Sequence, residues 1–282
     1  MTARLLTRMV ERPWGREDLP APFVAPAGAK IGEVWFEPPA ALDALLVKYI
    51  FTSAALSVQV HPADAQAPPG HRGKEECWLI LAAEPGARLG IGFRQKLSPA
   101  EMRAAALDGS IEALLAWQPA KAGDFFYIPP GTVHAIGPGL SLIEVQQNSD
   151  ITSRLYDYGR PRELHLDAGI AVSRGEPYPP GLSQTVPTHG PATLVDGPYF
   201  RLDRLDGPPD PATAARYSGV LLVIPLDGTA RVGVDTIKAG ECAVAGSLAG
   251  VAFAGRCLIA QPCAQAGSVD SIQPPPSTRS PA

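Results

Sequence analysis

Residues 123–134 read Gly-Asp-Phe-Phe-Tyr-Ile-Pro-Pro-Gly-Thr-Val-His. This is strand, turn, strand. Gly123-Asp124 opens with a turn signal. Phe125 to Ile128 are aromatic and β-branched residues suited to a half-buried strand. Pro129-Pro130-Gly131 stops that strand and turns the chain sharply, because proline fixes φ and glycine permits the tight bend. Thr132 and Val133 restart a strand, and His134 stands near its start. A turn followed by an ordinary core histidine would give the same local pattern, so the surrounding strands must decide what His134 does.

Upstream, Lys74-Glu75-Glu76-Cys77-Trp78-Leu79-Ile80-Leu81 enters a strand in which Lys74, Glu76 and Trp78 share one face. Further back, Leu56-Ser57-Val58-Gln59-Val60-His61 alternates strictly. Leu56, Val58 and Val60 lie on one face and Ser57, Gln59 and His61 on the other. The apolar face must pack against structure, and the polar face must meet solvent or a functional cavity. Arg4 to Arg12 reads as a first strand ended by Pro13-Trp14-Gly15. Ile31 to Phe36 and Leu45 to Ile50 come next, with Lys48 the only charge in the second run. Ser98-Pro99-Ala100-Glu101 is a capping box that starts a helical insert around 98–118, broken near Gly109. Downstream, Leu142 to Gln147 is a strand, Asn148 to Arg154 a polar loop, and Pro161 to Val195 is proline-rich and weakly patterned.

Composition narrows the class. The chain has 282 residues, 45% hydrophobic and 18% charged, with 31 prolines and 28 glycines. That suits many short strands joined by turns better than long helices. The net charge is −4 with no basic block, so neither nucleic acid nor a membrane surface is an expected partner. Cys77, Cys242, Cys257 and Cys263 form no C-x-x-C pair, which argues against a zinc ribbon or redox dithiol. No signal peptide or membrane span is expected. The expectation is a cytoplasmic protein with reduced thiols, of open oligomeric state.

The Gly123–His134 stretch is similar to the second motif of the cupins, with Pro129, Gly131 and His134 in register. That resemblance implies a small β-barrel whose histidine points inward at a metal. Gln59 and His61, two apart on one strand, would face the same cavity as Glu76 and His134. Two imidazoles and a carboxylate suit Zn²⁺ or another first-row divalent ion, with the Gln59 amide oxygen a weaker ligand. A lone histidine is more often a packing residue; the conjunction of four is what carries the metal reading. The C-terminal part holds a faint internal repeat. Lys238-Ala239-Gly240-Glu241 echoes Lys121-Ala122-Gly123-Asp124, but Val251 stands where the motif histidine would be. The expected fold is mainly β, with two cupin-like jelly rolls, the second degenerate and without metal. The expected boundaries are a catalytic domain at 1–174, a linker at 175–195, a second domain at 196–265 and a disordered tail at 266–282.

The runs Leu56–Pro62 (LSVQVHP), Gly73–Trp78 (GKEECW), Gly123–Ile136 and Glu144–Tyr158 (EVQQNSDITSRLYDY) together closely resemble the type I phosphomannose isomerases of the cupin superfamily. Pro13-Trp14-Gly15 and Ile31–Trp35 (IGEVW) fit as well. The resemblance covers roughly residues 10 to 170 with specific motifs. It implies that Gln59, His61, Glu76 and His134 bind one Zn²⁺ per chain, that Arg154 is the catalytic arginine, and that Ser57 and Lys74 line the substrate pocket. The implied reaction interconverts mannose 6-phosphate and fructose 6-phosphate through a cis-enediol. It needs a base, for which Lys74, Glu144 and Asp150 are candidates. Lys48 is a candidate phosphate contact. Two other readings share the ligand set: an Fe-dependent cupin oxygenase, and a non-catalytic sugar-binding bicupin.

Overall fold

The computed structural model describes residues 4–263. These form two compact units, one of residues 7–35 and 46–185, the other of residues 4–6, 36–45 and 186–263.

The first unit opens with β1 (Thr7–Arg16), β2 (Ile31–Phe36), β3 (Leu45–Phe51) and β4 (Val58–Val60). Then come β5 (Glu76–Ala83), β6 (Arg88–Phe93), α1 (Pro99–Asp108), α2 (Ile111–Leu114) and β7 (Leu115–Pro119). It closes with β8 (Asp124–Ile128), β9 (His134–Ile136), β10 (Leu140–Gln147), β11 (Ser153–Tyr156), α3 (Leu166–Val172) and β12 (Ser183–Thr185). One sheet has seven strands in the order β1-β2-β3-β10-β5-β8-β12, the other five in the order β11-β4-β9-β6-β7.

The alternation in β4 has a direct structural cause. Val58 and Val60 are fully buried with Phe93, Leu155, and Met102 and Ala106 of α1, a cluster that Ile170 of α3 joins. The helices therefore cap the outer face of the five-stranded sheet, and the opposite face, with Gln59 and His61, is turned inward. A second cluster, centred on Trp78, Ile80, Leu89 and Ile136, is also fully buried. Burying a side chain of this kind contributes about 1.5–3 kcal/mol.

Several expectations change. β1 does not stop at Pro13-Trp14-Gly15 but runs through it to Arg16. Proline is tolerated there because β1 is the edge of its sheet. Gly15 and Gly32 lie back to back: a Cβ on Gly15 would stand 2.5 Å from the Gly32 nitrogen. The helical insert ends at Leu114, and residues 115–119 are strand β7. Arg154 lies within β11, not in a loop. The weakly patterned stretch 161–195 holds α3, β12 and the start of β13 (Ala192–Asp196). Residues 175–185 pack in the first unit: β12 pairs with β8, and the Tyr178 hydroxyl lies 2.8 Å from the carbonyl oxygens of Tyr127 and Leu182. The expected tail, 266–282, lies outside the described residues.

The second unit continues with β14 (Phe200–Asp206), α4 (Pro211–Ala215), β15 (Leu221–Pro225) and β16 (Thr229–Val232). It ends with β17 (Asp235–Lys238), β18 (Ala243–Ala245), β19 (Val251–Ala254) and β20 (Arg256–Pro262). Its sheets are β13-β14-β20-β15-β18 and β17-β16-β19. The cluster buried in this unit is mostly apolar, among its members Leu221, Val223, Ala230, Ile237, Phe253 and Ile259, with the Tyr217 hydroxyl donating to the buried Asp203 at 2.6 Å. Val251 begins β19.

Candidate metal and catalytic site

The ladder of the five-stranded sheet brings the inward side chains into a row. Arg154 of β11 is opposite Gln59 of β4, and Gln59 is opposite His134 of β9. His61 comes just after β4 on the same face. On the seven-stranded sheet, Glu76 starts β5 and is opposite Gln146 of β10, while Trp78 is opposite Glu144. The turn Pro129-Pro130-Gly131 aims His134 across the gap. Gly131 has φ +83°, and its nitrogen donates to the His61 carbonyl at 2.8 Å.

His61, Glu76 and His134 are buried, and one ligand atom from each lies within 4.8 Å of the others. His134 Nε2 stands 3.3 Å from Glu76 Oε1, and His61 Nε2 stands 3.5 Å from Glu76 Oε2. His61 Nδ1 contacts the Ile151 carbonyl at 2.8 Å, and His134 Nδ1 contacts the Thr132 carbonyl at 2.9 Å. A carbonyl only accepts, so both imidazoles carry their proton on Nδ1. Both Nε2 lone pairs then face a carboxylate. Burial lowers both histidines, His134 to about 4, and the Lys74 charge lowers them further. They are neutral. His61 Nε2, His134 Nε2 and the Glu76 carboxylate thus converge; the Lys74 ammonium reaches Glu76 Oε2 and His61 Nε2, and Glu76 Oε1 is buried without a hydrogen-bond donor. Donors at about 2.0–2.1 Å around a tetrahedral ion stand about 3.4 Å apart. The observed spacings fit a small divalent cation, and the Nδ1–carbonyl bonds are the outer contacts such histidines use.

Gln59 stands beside them. Its amide nitrogen is 3.2 Å from His134 Nε2, and its oxygen accepts from Ser57 Oγ at 3.1 Å. The two ends of an amide are exchanged by a flip. The flipped amide would turn its oxygen to the cluster and its nitrogen to Ser57, so Gln59 can serve as a weak fourth ligand.

A line of charges leads inward from the barrel's edge. Lys74 Nζ lies 2.7 Å from Glu76 Oε2, 3.2 Å from His61 Nε2 and 3.9 Å from Glu144 Oε1. Lys48 Nζ bonds Glu144 Oε1 at 3.1 Å, and the Trp78 indole donates to Glu144 Oε2 at 3.0 Å. Burial opposes the charge on Glu144, but Lys74, Lys48 and the indole outweigh it and hold the carboxyl at about 2. Burial likewise opposes the charge on Lys74, and Glu144 and Glu76 outweigh it, so its ammonium persists. Burial raises Glu76 to about 7, against the pull of Lys74. Lys48 also lies 4.5 Å over the Trp35 ring, whose indole donates to Glu33 at 3.2 Å; Glu33 pairs with Arg12 at 2.7 Å.

Every other expected site residue except Asp150 reaches this region or its rim. Asp150 is exposed on the loop after β10. Arg154 is half-buried, and its Nε donates to the Glu163 carbonyl at 3.0 Å. Beside it, Asp157 accepts from Arg160 at 3.0 Å and from Arg162 at 2.6 Å. The sequence placed Glu33 and Trp35 in the Ile31–Trp35 motif but gave them no role in the site, and it did not mark out the Ile151 and Thr132 carbonyls. Trp78 carried a signal, since it shares a face with Glu76 and Lys74. A backbone carbonyl carries none.

No protein-family model matches the chain. Among curated proteins it is 40% identical over 205 residues to the mannose-6-phosphate isomerase of Streptococcus mutans, a match spanning 67% of this chain and 63% of that protein. The match thus spans less than two thirds of that relative's length. Among solved structures, the mannose 6-phosphate isomerase of Bacillus subtilis aligns with 91% of this chain and 98% of its own, at a TM-score of 0.73 and 24% identity. A zinc-bound mannose 6-phosphate isomerase aligns with 92% of this chain and 98% of its own, at a TM-score of 0.66 and 15% identity.

Proposed function

We propose that this chain, a homologue of the type I phosphomannose isomerases, interconverts mannose 6-phosphate and fructose 6-phosphate in the cytoplasm, using one zinc ion per chain. The observation that carries the reading is the convergence of two neutral imidazoles and a carboxylate beside a buried Lys74–Glu144–Lys48 chain. An aldose–ketose isomerase moves a proton between C2 and C1 and must stabilise an enediolate on the way. A divalent ion held by His61, Glu76, His134 and Gln59 supplies Lewis-acid stabilisation of that charge without redox chemistry.

The chain's own residues do the rest. Lys74 and Lys48 hold positive charge at the inner wall, where low dielectric strengthens it. Arg154 presents a permanently charged planar fork from the opposite sheet, suited to the enediolate oxygens or the phosphate. Ser57 orients the Gln59 amide. Of the three base candidates, the exposed Asp150 is the least suited. Lys74 is held as an ammonium and serves as a proton donor. Glu144 is ionised and lies beside Lys74, so we assign it the proton-accepting role: it takes the C2 proton, Lys74 gives a proton to C1, and Glu144 then passes its proton to the Lys74 amine, which restores both. Lys48 keeps Glu144 ionised, a supporting role instead of the phosphate contact expected from its sequence position. The second unit, with its mostly apolar interior, is assigned a supporting role and no metal.

The test is incubation with mannose 6-phosphate in D₂O, followed by NMR. The enediol route predicts fructose 6-phosphate carrying deuterium at C1. An oxygenase would consume O₂ instead, and a sugar-binding bicupin would leave the substrate unchanged; either result rejects the reading.

A further inference from the structure

Gln146 lies opposite Glu76 and is fully buried, yet it touches none of the candidate metal ligands through a hydrogen bond. Its amide nitrogen donates to two backbone carbonyls, Gln147 at 2.6 Å and Ser149 at 2.7 Å. Two converging carbonyls fix which end of the amide is the nitrogen, since neither can donate. Its oxygen is buried without a partner. The side chain is thus committed to one task, closing the backbone of residues 147–149 into a tight turn.

That turn sets the path of residues 149–151. Ser149 Oγ donates to the Arg72 carbonyl at 2.9 Å and accepts from the Ile151 nitrogen at 3.4 Å. The Ile151 carbonyl in turn takes the Nδ1 proton of His61 at 2.8 Å. An unbroken path of hydrogen bonds and two or three residues of backbone therefore joins Gln146 to the tautomer of His61. If the Ile151 carbonyl drifts, His61 loses one of the two contacts that set its tautomer and ring angle, the other being the Lys74 ammonium at Nε2. The Nε2 lone pair then loses its fixed aim at Glu76.

We propose that Gln146 is a positioning residue of the metal centre: its amide fixes the 147–151 loop and, through the Ile151 carbonyl, the tautomer and aim of His61. This rests on the metal-centre reading above, but not on the identity of the sugar. Outer contacts of metal-bound histidines set affinity by about 10- to 100-fold when removed.

The test is zinc affinity, measured by competition with a chromophoric chelator. Gln146→Met keeps the length and removes both donors. It should weaken zinc binding about 10- to 100-fold in the wild-type background, and by less than about threefold when His61 is already Gln, because the path then has nothing to orient. NMR of the metal-free protein should show the His61 Nδ1 proton hydrogen-bonded and slow to exchange with solvent in the wild type, and fast to exchange in Gln146→Met. Should Gln146→Met fail to fold by circular dichroism, Ser149→Ala breaks the same path and must show the same pattern. Wild-type affinity in the variant that folds overturns the proposal. So does an equal loss in both backgrounds, which marks a merely structural residue. A wild-type chain with no zinc affinity overturns it too. A chain that binds zinc but leaves mannose 6-phosphate untouched rejects only the isomerase reading, since zinc affinity is read without turnover.

Discussion

Arg154 and His134 sit two strands apart on one sheet face, with Gln59 between them. In the proposed reaction an arginine so placed would meet developing charge on the sugar phosphate. Arg154→Ala should lower kcat with little change in KM, costing about 2–4 kcal/mol of barrier by analogy with loss of an oxyanion donor. Arg154→Lys should not fully restore turnover, because a point charge replaces a planar fork. An exposed ion-pair residue would cost less than about 1 kcal/mol. Near-normal steady-state kinetics with zinc retained would remove Arg154 from the mechanism. At this scale the sequence carried much of the site, because period-two spacing in a strand specifies which side chains share a face. Gln59 and His61 were legible for that reason. The roles of Glu33 and Trp35 were not, although their motif was, because their partners, Arg12 and Lys48, come from other strands and no local pattern links them.

Strand β1 shows how an element can hide. Pro13 and Gly15 look like a stop, and on an interior strand they would be one. At a sheet edge Pro13 owes no ladder bond, and Gly15 lets the backbone close on Gly32. Gly15→Ala would press a Cβ against backbone atoms that cannot rotate away, so we expect a loss of about 1–3 kcal/mol, as for overpacking. Thermal unfolding followed by circular dichroism should show a melting temperature lower by several degrees; an unchanged midpoint would show that β1 is not closely packed there. The N-terminus of α1 was readable because a capping box is local. Ser98 Oγ accepts from the Glu101 nitrogen at 3.2 Å, and the Glu101 carboxylate accepts from the Ser98 nitrogen at 2.7 Å. Ser98→Ala should cost about 1 kcal/mol in the same assay; no loss would mean that the cap is not needed. Strand β7 and helix α3 were missed for the opposite reason. Each is short, and each is held by tertiary contacts: β7 by pairing with β6, and α3 by packing Ile170 into the cluster with Val58 and Val60.

Across the whole chain, the mainly β architecture of paired sheets followed from the density of turns and short apolar runs. Where one unit gives way to the other did not, because residues 36–45 join the second unit while residues 175–185 stay with the first. Such exchanges depend on contacts between segments far apart in sequence. The second unit keeps the Gly240-Glu241 turn but has Val251 at the head of β19 and an apolar core. Elemental analysis should therefore find one zinc per chain, and none in His134→Ala; stoichiometric zinc retained by that variant would place the metal elsewhere. The most direct measurement is a coupled assay of fructose 6-phosphate formation from mannose 6-phosphate, before and after chelation and again after adding zinc back. The expected result is turnover that disappears with the metal and returns with it. A folded, zinc-loaded protein that forms no fructose 6-phosphate, or turnover indifferent to complete removal of the metal, would contradict the account.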